Sequence, residues 1–183
     1  MRDSSKIWLL FFISFFNGIA IFCQDFDFVI GDSIYKTNIR TVKLNLETWE
    51  LSYPIIELNG ENKLLLGFDD LDTEENNYSY TIIHCDANWH PSNLIPEDYI
   101  DGFNENPITD FEHSFNTKYD YIHYKLTIPN MDVKLKLSGN YILKVFQDFD
   151  PYNIVFTKRF MVVEQRVNIE ANIKKSDASD YFM

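Results

Sequence analysis

The sequence predicts an all-β fold, an antiparallel immunoglobulin-like β-sandwich of about seven strands, from three observations. Aromatic residues make up 16% of the chain, including 16 Phe and 11 Tyr, and such rings favour half-buried sheet surfaces. Short segments with alternating apolar and polar residues recur between turn signals. No amphipathic helix pattern separates these segments, which argues against a βαβ architecture and against a helical bundle.

Seven segments between residues 40 and 164 carry the strand pattern. In chain order they are residues 40–46, 54–58, 63–68, 78–85, 121–128, 141–146 and 154–164. The tetrapeptide Asn-Gly-Glu-Asn at 59–62 lies between the second and third segments, and its composition predicts a hairpin turn that joins them. Residues 86–120 show no regular period, so we expect long loops there.

The N-terminus has the three-part organisation of a secretory signal peptide. Arg2 and Lys6 precede an apolar run of ordinary length, and a possible cleavage zone follows this run. Such an arrangement directs export and is removed from the mature protein. We therefore predict a signal peptide over residues 1–23, cleaved between Cys23 and Gln24. A retained membrane anchor and a lipid on Cys23 are the two alternatives.

The rest of the chain is predicted to form two parts. We expect a β-sandwich domain over residues 24–164. Residues 165–183 are expected to form a linker strand, with apolar alternation at 167–173, and the start of a truncated second domain. The reason is that too few residues follow this strand to build another core.

Charge and cysteine content limit the classes of partner. Signal cleavage removes two basic and one acidic residue from totals of 16 and 28, which leaves a net charge of −13. Repulsion makes nucleic acid and anionic lipid headgroups poor partners for such a surface, whereas basic protein surfaces are compatible with it. Only Cys85 remains in the mature chain, so no internal disulfide is predicted.

The stretch TIIHCDANWHP concentrates residue types that build metal sites and cysteine hydrolases. In a strand, however, His84 and Cys85 point to opposite faces and cannot bind the same metal ion. His84 and Asp86 share a face, but a zinc site needs a further ligand such as His90 or His123. We therefore interpret Cys85 as a small buried apolar side chain and assign no catalytic, metal-binding or cofactor-binding residue.

Aromatic side chains in the predicted loops are the other functional candidates. They are Trp89, Tyr99, Phe103, Phe111, Phe115 and Tyr119. Long connections on a rigid sandwich commonly carry binding residues, and exposed rings dock proteins or stack on sugars. We therefore predict partner-binding residues in this set, with packing against the core as the alternative for each ring.

Five stretches carry a resemblance to a known family. They are IRTVKLNLETWELSYPIIELNGENKLLLGFDDL, YTIIHCDANWHPSNLIPEDYIDGF, SFNTKYDYIHYKLTIPN, KLSGNYILKVF and FTKRFMVVE. In this order, and over about residues 35–173, they resemble the N-terminal domain of the type IX secretion system plug protein.

The resemblance implies a non-enzymatic, periplasmic protein at the inner face of the outer membrane. Proteins of that family close the channel of a giant translocon barrel through protein contact. The implied partner is therefore the outer-membrane translocon barrel, without a cofactor, nucleic acid binding or direct membrane insertion. A secreted carbohydrate-binding β-sandwich module has a similar composition and is the alternative interpretation.

Overall fold

The computed structural model describes residues 31–72, 74–167 and 170–171. Within these residues the chain forms one short helix and twelve strands. They are β1 (Ser33–Ile34), β2 (Ile39–Leu46), β3 (Ile55–Glu57), β4 (Leu64–Asp70), β5 (Tyr78–Cys85), α1 (Pro96–Tyr99), β6 (Ile100–Gly102), β7 (Glu105–Pro107), β8 (Asp110–His113), β9 (Ile122–Ile128), β10 (Val133–Leu135), β11 (Gly139–Gln147) and β12 (Ile154–Val163).

The predicted signal peptide, with Cys23 and Gln24, lies outside the described residues, as does most of the predicted strand at 167–173. In the part of the chain that the structure describes, no helix has both the length and the apolar character needed to cross a membrane.

Two sheets form the sandwich. The first sheet has the order β1-β12-β11-β5-β7, with β3 also paired to β12, and the second has the order β2-β4-β9-β8. Strand pairing is antiparallel except between β3 and β12. The first sheet corresponds to the G-F-C sheet of an immunoglobulin domain, through β12, β11 and β5. The second sheet corresponds to the A-B-E-D sheet. The predicted fold class is therefore confirmed.

The core lies between the two sheets and is rich in aromatic rings. Alternation in β4 buries Leu64, Leu66 and Phe68 completely. The Phe68 ring stacks on Tyr124 of the same sheet at 5.1 Å and meets Phe156 of the other sheet edge-on at 5.0 Å. Each such pair contributes about 0.5–1.5 kcal/mol beyond the area it buries. The aromatic composition therefore serves mainly to join the sheets.

A tyrosine near the start of β11 ties the chain back on itself. The Tyr141 hydroxyl donates a hydrogen bond of 2.7 Å to the carbonyl oxygen of Leu137, four residues upstream, and the ring stacks on Phe160 at 5.2 Å. An immunoglobulin-like sandwich carries an equivalent tyrosine corner in its sixth strand. This bond fixes the connection that returns from β10 to β11.

The predicted hairpin at residues 59–62 is wrong. β3 pairs with β12, whereas β4 pairs with β2 and β9, so the two segments lie in different sheets. The turn itself forms, with the Gly60 amide donating to the Glu57 carbonyl oxygen and Asn59 at a φ of 59°. Instead of a hairpin, β3 forms a parallel pair with β12 and buries Ile56 in the core.

The expected irregular stretch 86–120 contains α1, β6, β7 and β8. Each element has only three or four residues. A period of two cannot be recognised over so few positions, which explains why the sequence pattern did not indicate them.

The loops gather at two ends of the sandwich. We call one the acidic end; its loops are 71–77, 114–121 and 148–153, which together carry six acidic residues and one lysine. We call the other the exit end, because β12 finishes there; its loops are 47–54, 58–63, 86–95 and 129–138. The strand registers place Asp70 opposite Ile122 at the acidic end and Leu64 opposite Ile128 at the exit end.

Candidate docking sites

The His84–Asp86 cluster builds the exit end of the fold. The His84 ring packs against Tyr141 at 5.1 Å and Tyr99 at 5.6 Å, and its Nδ1 lies 2.9 Å from the Ser92 hydroxyl. Gly139 of β11 approaches this ring so closely that an added Cβ would lie 2.6 Å from Nε2. The imidazole is therefore part of the packing at this end.

Cys85 is buried, as predicted. Burial, assisted by the nearby Asp86 charge, raises the pKa of the thiol to about 11. Such a thiol is almost fully protonated at neutral pH, whereas a nucleophilic cysteine needs a lowered pKa. The Cys85 thiol is consequently a packed, unreactive side chain of β5.

Asp86 shapes the loop that follows β5. Its Oδ1 accepts backbone N–H bonds from Asn88 and His90 at 2.8 and 2.9 Å, and these bonds lower the pKa of the carboxyl. They hold Trp89 at a φ of 69°. Among the described residues, no group of three or more His, Cys, Asp or Glu side chains is placed to hold a metal ion.

The six predicted aromatic candidates do not form one surface. Tyr99 is only 5% exposed, and its hydroxyl donates to the Ile82 carbonyl oxygen at 3.2 Å. Its expected role as an exposed binding ring is therefore wrong, because the single turn of α1 folds this side chain over β5. Phe111 is half-buried against Tyr124, at a ring distance of 5.5 Å.

Trp89 is also half-buried. The Arg159 guanidinium lies 4.9 Å from the centre of its ring, and Arg159 is in turn near Asp32, with 3.8 Å between Nε and Oδ1. The indole therefore has a cation–π partner within this chain. Of the predicted set, Phe103, Phe115 and Tyr119 are the rings that extend into solvent.

The 114–121 loop at the acidic end holds two of these exposed rings. Its ends are closed by the Ser114 amide, which donates to the Tyr121 carbonyl oxygen at 2.9 Å. The Thr117 hydroxyl donates to the Tyr119 carbonyl oxygen at 2.8 Å. Phe115, 93% exposed, and Tyr119 project from this closed loop. The loop is thus ordered before any partner arrives.

A buried carboxylate organises the same end. The side-chain amides of Asn38 and Asn76 donate to Asp70 at 2.7 and 2.8 Å, the Tyr78 hydroxyl donates at 2.7 Å, and the Asp72 amide donates at 3.0 Å. Asp70 is fully buried. Burial of Tyr78 and its hydrogen bond to Asp70 raise the pKa of the phenol, so the hydroxyl keeps its proton and remains a donor.

The exit end carries exposed apolar residues that the sequence pattern did not indicate. Among them are Trp49, Leu51 and Tyr53 in the 47–54 loop and Met131 in the 129–138 loop. The available signal was the alternation of three apolar residues at 49, 51 and 53 immediately after the β2 pattern. Alternation of this kind resembles the core face of a strand, and only the structure shows that no sheet covers it.

Comparison with known proteins identifies the family. Residues 39–164 match the sequence model described as "Type 9 secretion system plug protein 1st domain". The chain belongs to this family. The predicted resemblance is confirmed, and membership links the chain to type 9 secretion.

The chain is similar to a crystal structure of a hypothetical protein from Parabacteroides merdae ATCC 43184. The two chains are 36% identical, with a TM-score of 0.71 over 73% of this chain and 34% of that chain. This chain therefore spans about a third of the length of its solved relative.

A second solved structure is the Pseudomonas fluorescens alkylpurine DNA glycosylase AlkC bound to DNA containing an abasic site analog. It has 11% identity and a TM-score of 0.34 over 68% of this chain and 30% of that chain, too little for any conclusion. No curated protein matches the sequence.

Proposed function

We propose that this protein acts without catalysis, as a plug component that closes or regulates the outer-membrane translocon channel of the type 9 secretion system. It does so through protein–protein contact in the periplasm, at the inner face of the outer membrane. Family membership over residues 39–164 supports the assignment to this system. The observation that carries the mode of action is the ordered 114–121 loop with its exposed rings.

The geometry of this loop suits docking. Stable interfaces are anchored by a few aromatic side chains that become buried on binding. Because hydrogen bonds within the loop already fix the backbone around Phe115 and Tyr119, binding loses little further conformational entropy. Among the long loops expected over residues 86–120, we therefore propose the one that spans residues 114–121 as the docking surface.

Charge favours a particular kind of contact surface. The three loops of the acidic end contain six acidic residues and only Lys118 as a base. A surface of this sign attracts a basic rim and repels anionic lipopolysaccharide and phospholipid headgroups. The proposed contact on the translocon is therefore a basic protein surface with apolar recesses that receive the two rings.

Affinity capture from outer membranes tests this proposal. The tagged protein is expected to retain a large β-barrel, and the double substitution Phe115→Ala with Tyr119→Ala is expected to weaken capture at least about tenfold, since each anchor contributes more than about 1 kcal/mol. Phe103→Ala is the matched control, because Phe103 is an exposed ring outside the loop. Equal loss in the control would contradict the assignment to this loop.

A deletion strain provides the functional test. Without the plug, periplasmic solutes are expected to leak through the open translocon, and the wild-type gene should restore the barrier. If no barrel is captured, permeability stays normal and a glycan binds saturably in calorimetry, the carbohydrate-binding module becomes the correct interpretation. The exposed rings would then be stacking platforms for sugars.

A further inference from the structure

The exit end exposes apolar side chains on an ordered loop. In the 47–54 loop, Leu51 is 84% exposed, and Trp49 and Tyr53 are also exposed. The loop is not loose: the Ser52 amide donates to the Trp49 carbonyl oxygen at 3.1 Å, and the Ser52 hydroxyl accepts from the Leu46 amide at 2.7 Å. Exposed apolar groups held in this way are typical of a binding surface.

A groove of about 630 Å³ lies at the same end. Its apolar lining includes Ile56, Leu58, Pro129 and Leu135, and Met131 of the 129–138 loop lies at its margin with 98% of its surface exposed. The groove is thus wide enough for several side chains of a partner, and six of its fourteen lining residues are apolar. Such recesses receive the anchors of a protein interface.

Two lysines and two glutamates complete the groove. Lys63 and Lys134 line it together with Glu47 and Glu57. Mixed charges around an apolar recess are the arrangement of a protein interface, which has an apolar centre and a polar rim. The acidic end differs, because its loops carry almost exclusively negative charge.

The last strand leads the chain to this groove. Val162 of β12 lines the groove, and the Val163 carbonyl oxygen accepts a 2.7 Å hydrogen bond from the Leu58 amide at its margin. Polypeptide that follows β12 therefore starts beside the groove, whereas the acidic end lies a full strand length away. A region connected through this strand reaches the exit end without a long linker.

The family description indicates which polypeptide covers the groove. Its description specifies a first domain, and the solved relative is about three times longer than the part that this chain matches. We propose that the groove and the 47–54 loop form the docking surface for the region that follows the first domain in plug proteins. This inference concerns contact between domains and does not depend on the proposed contact with the translocon.

Covalent footprinting tests the docking surface. The 183-residue chain is compared with a fusion in which the part of the Parabacteroides merdae protein that follows its matched region is joined after Val167. In the fusion, side-chain labelling of Trp49, Tyr53 and Met131 is expected to be lost, while labelling of Phe115 and Tyr119 stays at the level of the free chain. Unchanged labelling at the exit end would overturn the proposal, as would protection confined to the acidic end.

A charged variant tests whether the protected residues hold the contact. Leu51→Asp with Tyr53→Asp, in the fusion, is expected to restore labelling of Met131 to the level of the free chain. Both side chains are largely exposed, so the first domain should retain its fold. The matched control is Phe115→Asp with Tyr119→Asp, which should leave Met131 protected. Persistent protection in the first variant would also contradict the proposal.

Discussion

The two ends of the sandwich are stabilised in different ways. At the acidic end, the buried Asp70 carboxylate accepts four hydrogen bonds and joins residues from before β2 and from the 71–77 loop. At the exit end, the rings of His84, Tyr99 and Tyr141 pack together over β5 and β11. The acidic end is thus organised around one buried carboxylate, whereas the exit end combines ring packing with the hydrogen bonds of His84, Asp86 and Tyr141.

This difference determines what each end shows to a partner. The polar groups of the Asp70 network are satisfied within the fold, and the acidic end presents charged loops with exposed rings such as Phe115, Tyr119 and Phe149. Packing at the exit end leaves further apolar side chains, among them Leu51 and Met131, without cover. We infer that the acidic end suits a separate protein partner and that the exit end suits a permanent neighbour, since lasting interfaces are the more apolar.

The largest expected effect on stability distinguishes a buried loop aromatic from an exposed one. Tyr99→Ala removes a buried ring and its bond to Ile82, so it should lower the free energy of unfolding by about 3–4 kcal/mol. Phe115→Ala is the matched control and should change it by less than about 0.5 kcal/mol. Urea unfolding measures both. Similar losses in the two variants would contradict the distinction between the ends.

The second effect tests the polar network. Asp70→Ala removes the acceptor of the buried Tyr78 hydroxyl and of the Asp72 backbone amide, and one of the two acceptors of each asparagine amide. This loss should cost about 3 kcal/mol of unfolding free energy. Amide hydrogen exchange should become faster in the 71–77 loop. Amides of the exit end should exchange only through global unfolding, at the rate set by the lowered free energy of unfolding.

Asp72→Ala is the control for this substitution. Asp72 accepts from the same two asparagine amides, at 3.0 and 3.2 Å, but in an exposed position. Its loss should cost less than about 0.5 kcal/mol. If both aspartates cost the same, the acidic end is not organised around a buried carboxylate.

Long alternating segments were predictable from the sequence because burial alone determines them. Each of the seven predicted strand segments corresponds to a strand, and the immunoglobulin-like class followed from their spacing. Which strands pair with each other was harder to predict from the sequence. The turn at 59–62 indicated a local hairpin, yet β3 pairs with β12, about a hundred residues later, and this long-range pairing has no signature in the local sequence.

The candidate sites were predictable only in part. A ring in an irregular stretch has the same sequence signature whether it packs or projects, so Tyr99 and Phe115 could not be distinguished. The decisive features are tertiary: α1 lies on β5, whereas the 114–121 loop closes on itself. Trp49, Leu51 and Tyr53 escaped notice for the converse reason, because alternating apolar residues are usually covered by a second layer.

The smallest expected effect comes from the thiol at the exit end. Burial among apolar groups raises the pKa of Cys85 from 9.0 to about 11, with the Asp86 charge adding to the rise and a bond from the Ile142 backbone offsetting part of it. The folded protein therefore keeps its proton where the unfolded chain has begun to release it. Stability from this group is complete well below pH 9 and is lost progressively as the pH rises through 9 towards 11.

The size of this loss can be isolated by comparing two proteins. For each protein, the change in unfolding free energy between neutral pH and pH 9 is measured. The wild type should lose about 0.4 kcal/mol more than Cys85→Ala, because half of the unfolded thiol is ionised at pH 9. Tyrosine titration is the same in both and cancels. Native Cys85 should also react with iodoacetamide far more slowly than the unfolded chain. A stability difference that grows in favour of the wild type above pH 9, or rapid labelling of the native thiol, would show that Cys85 is not enclosed by the packed wall of the exit end.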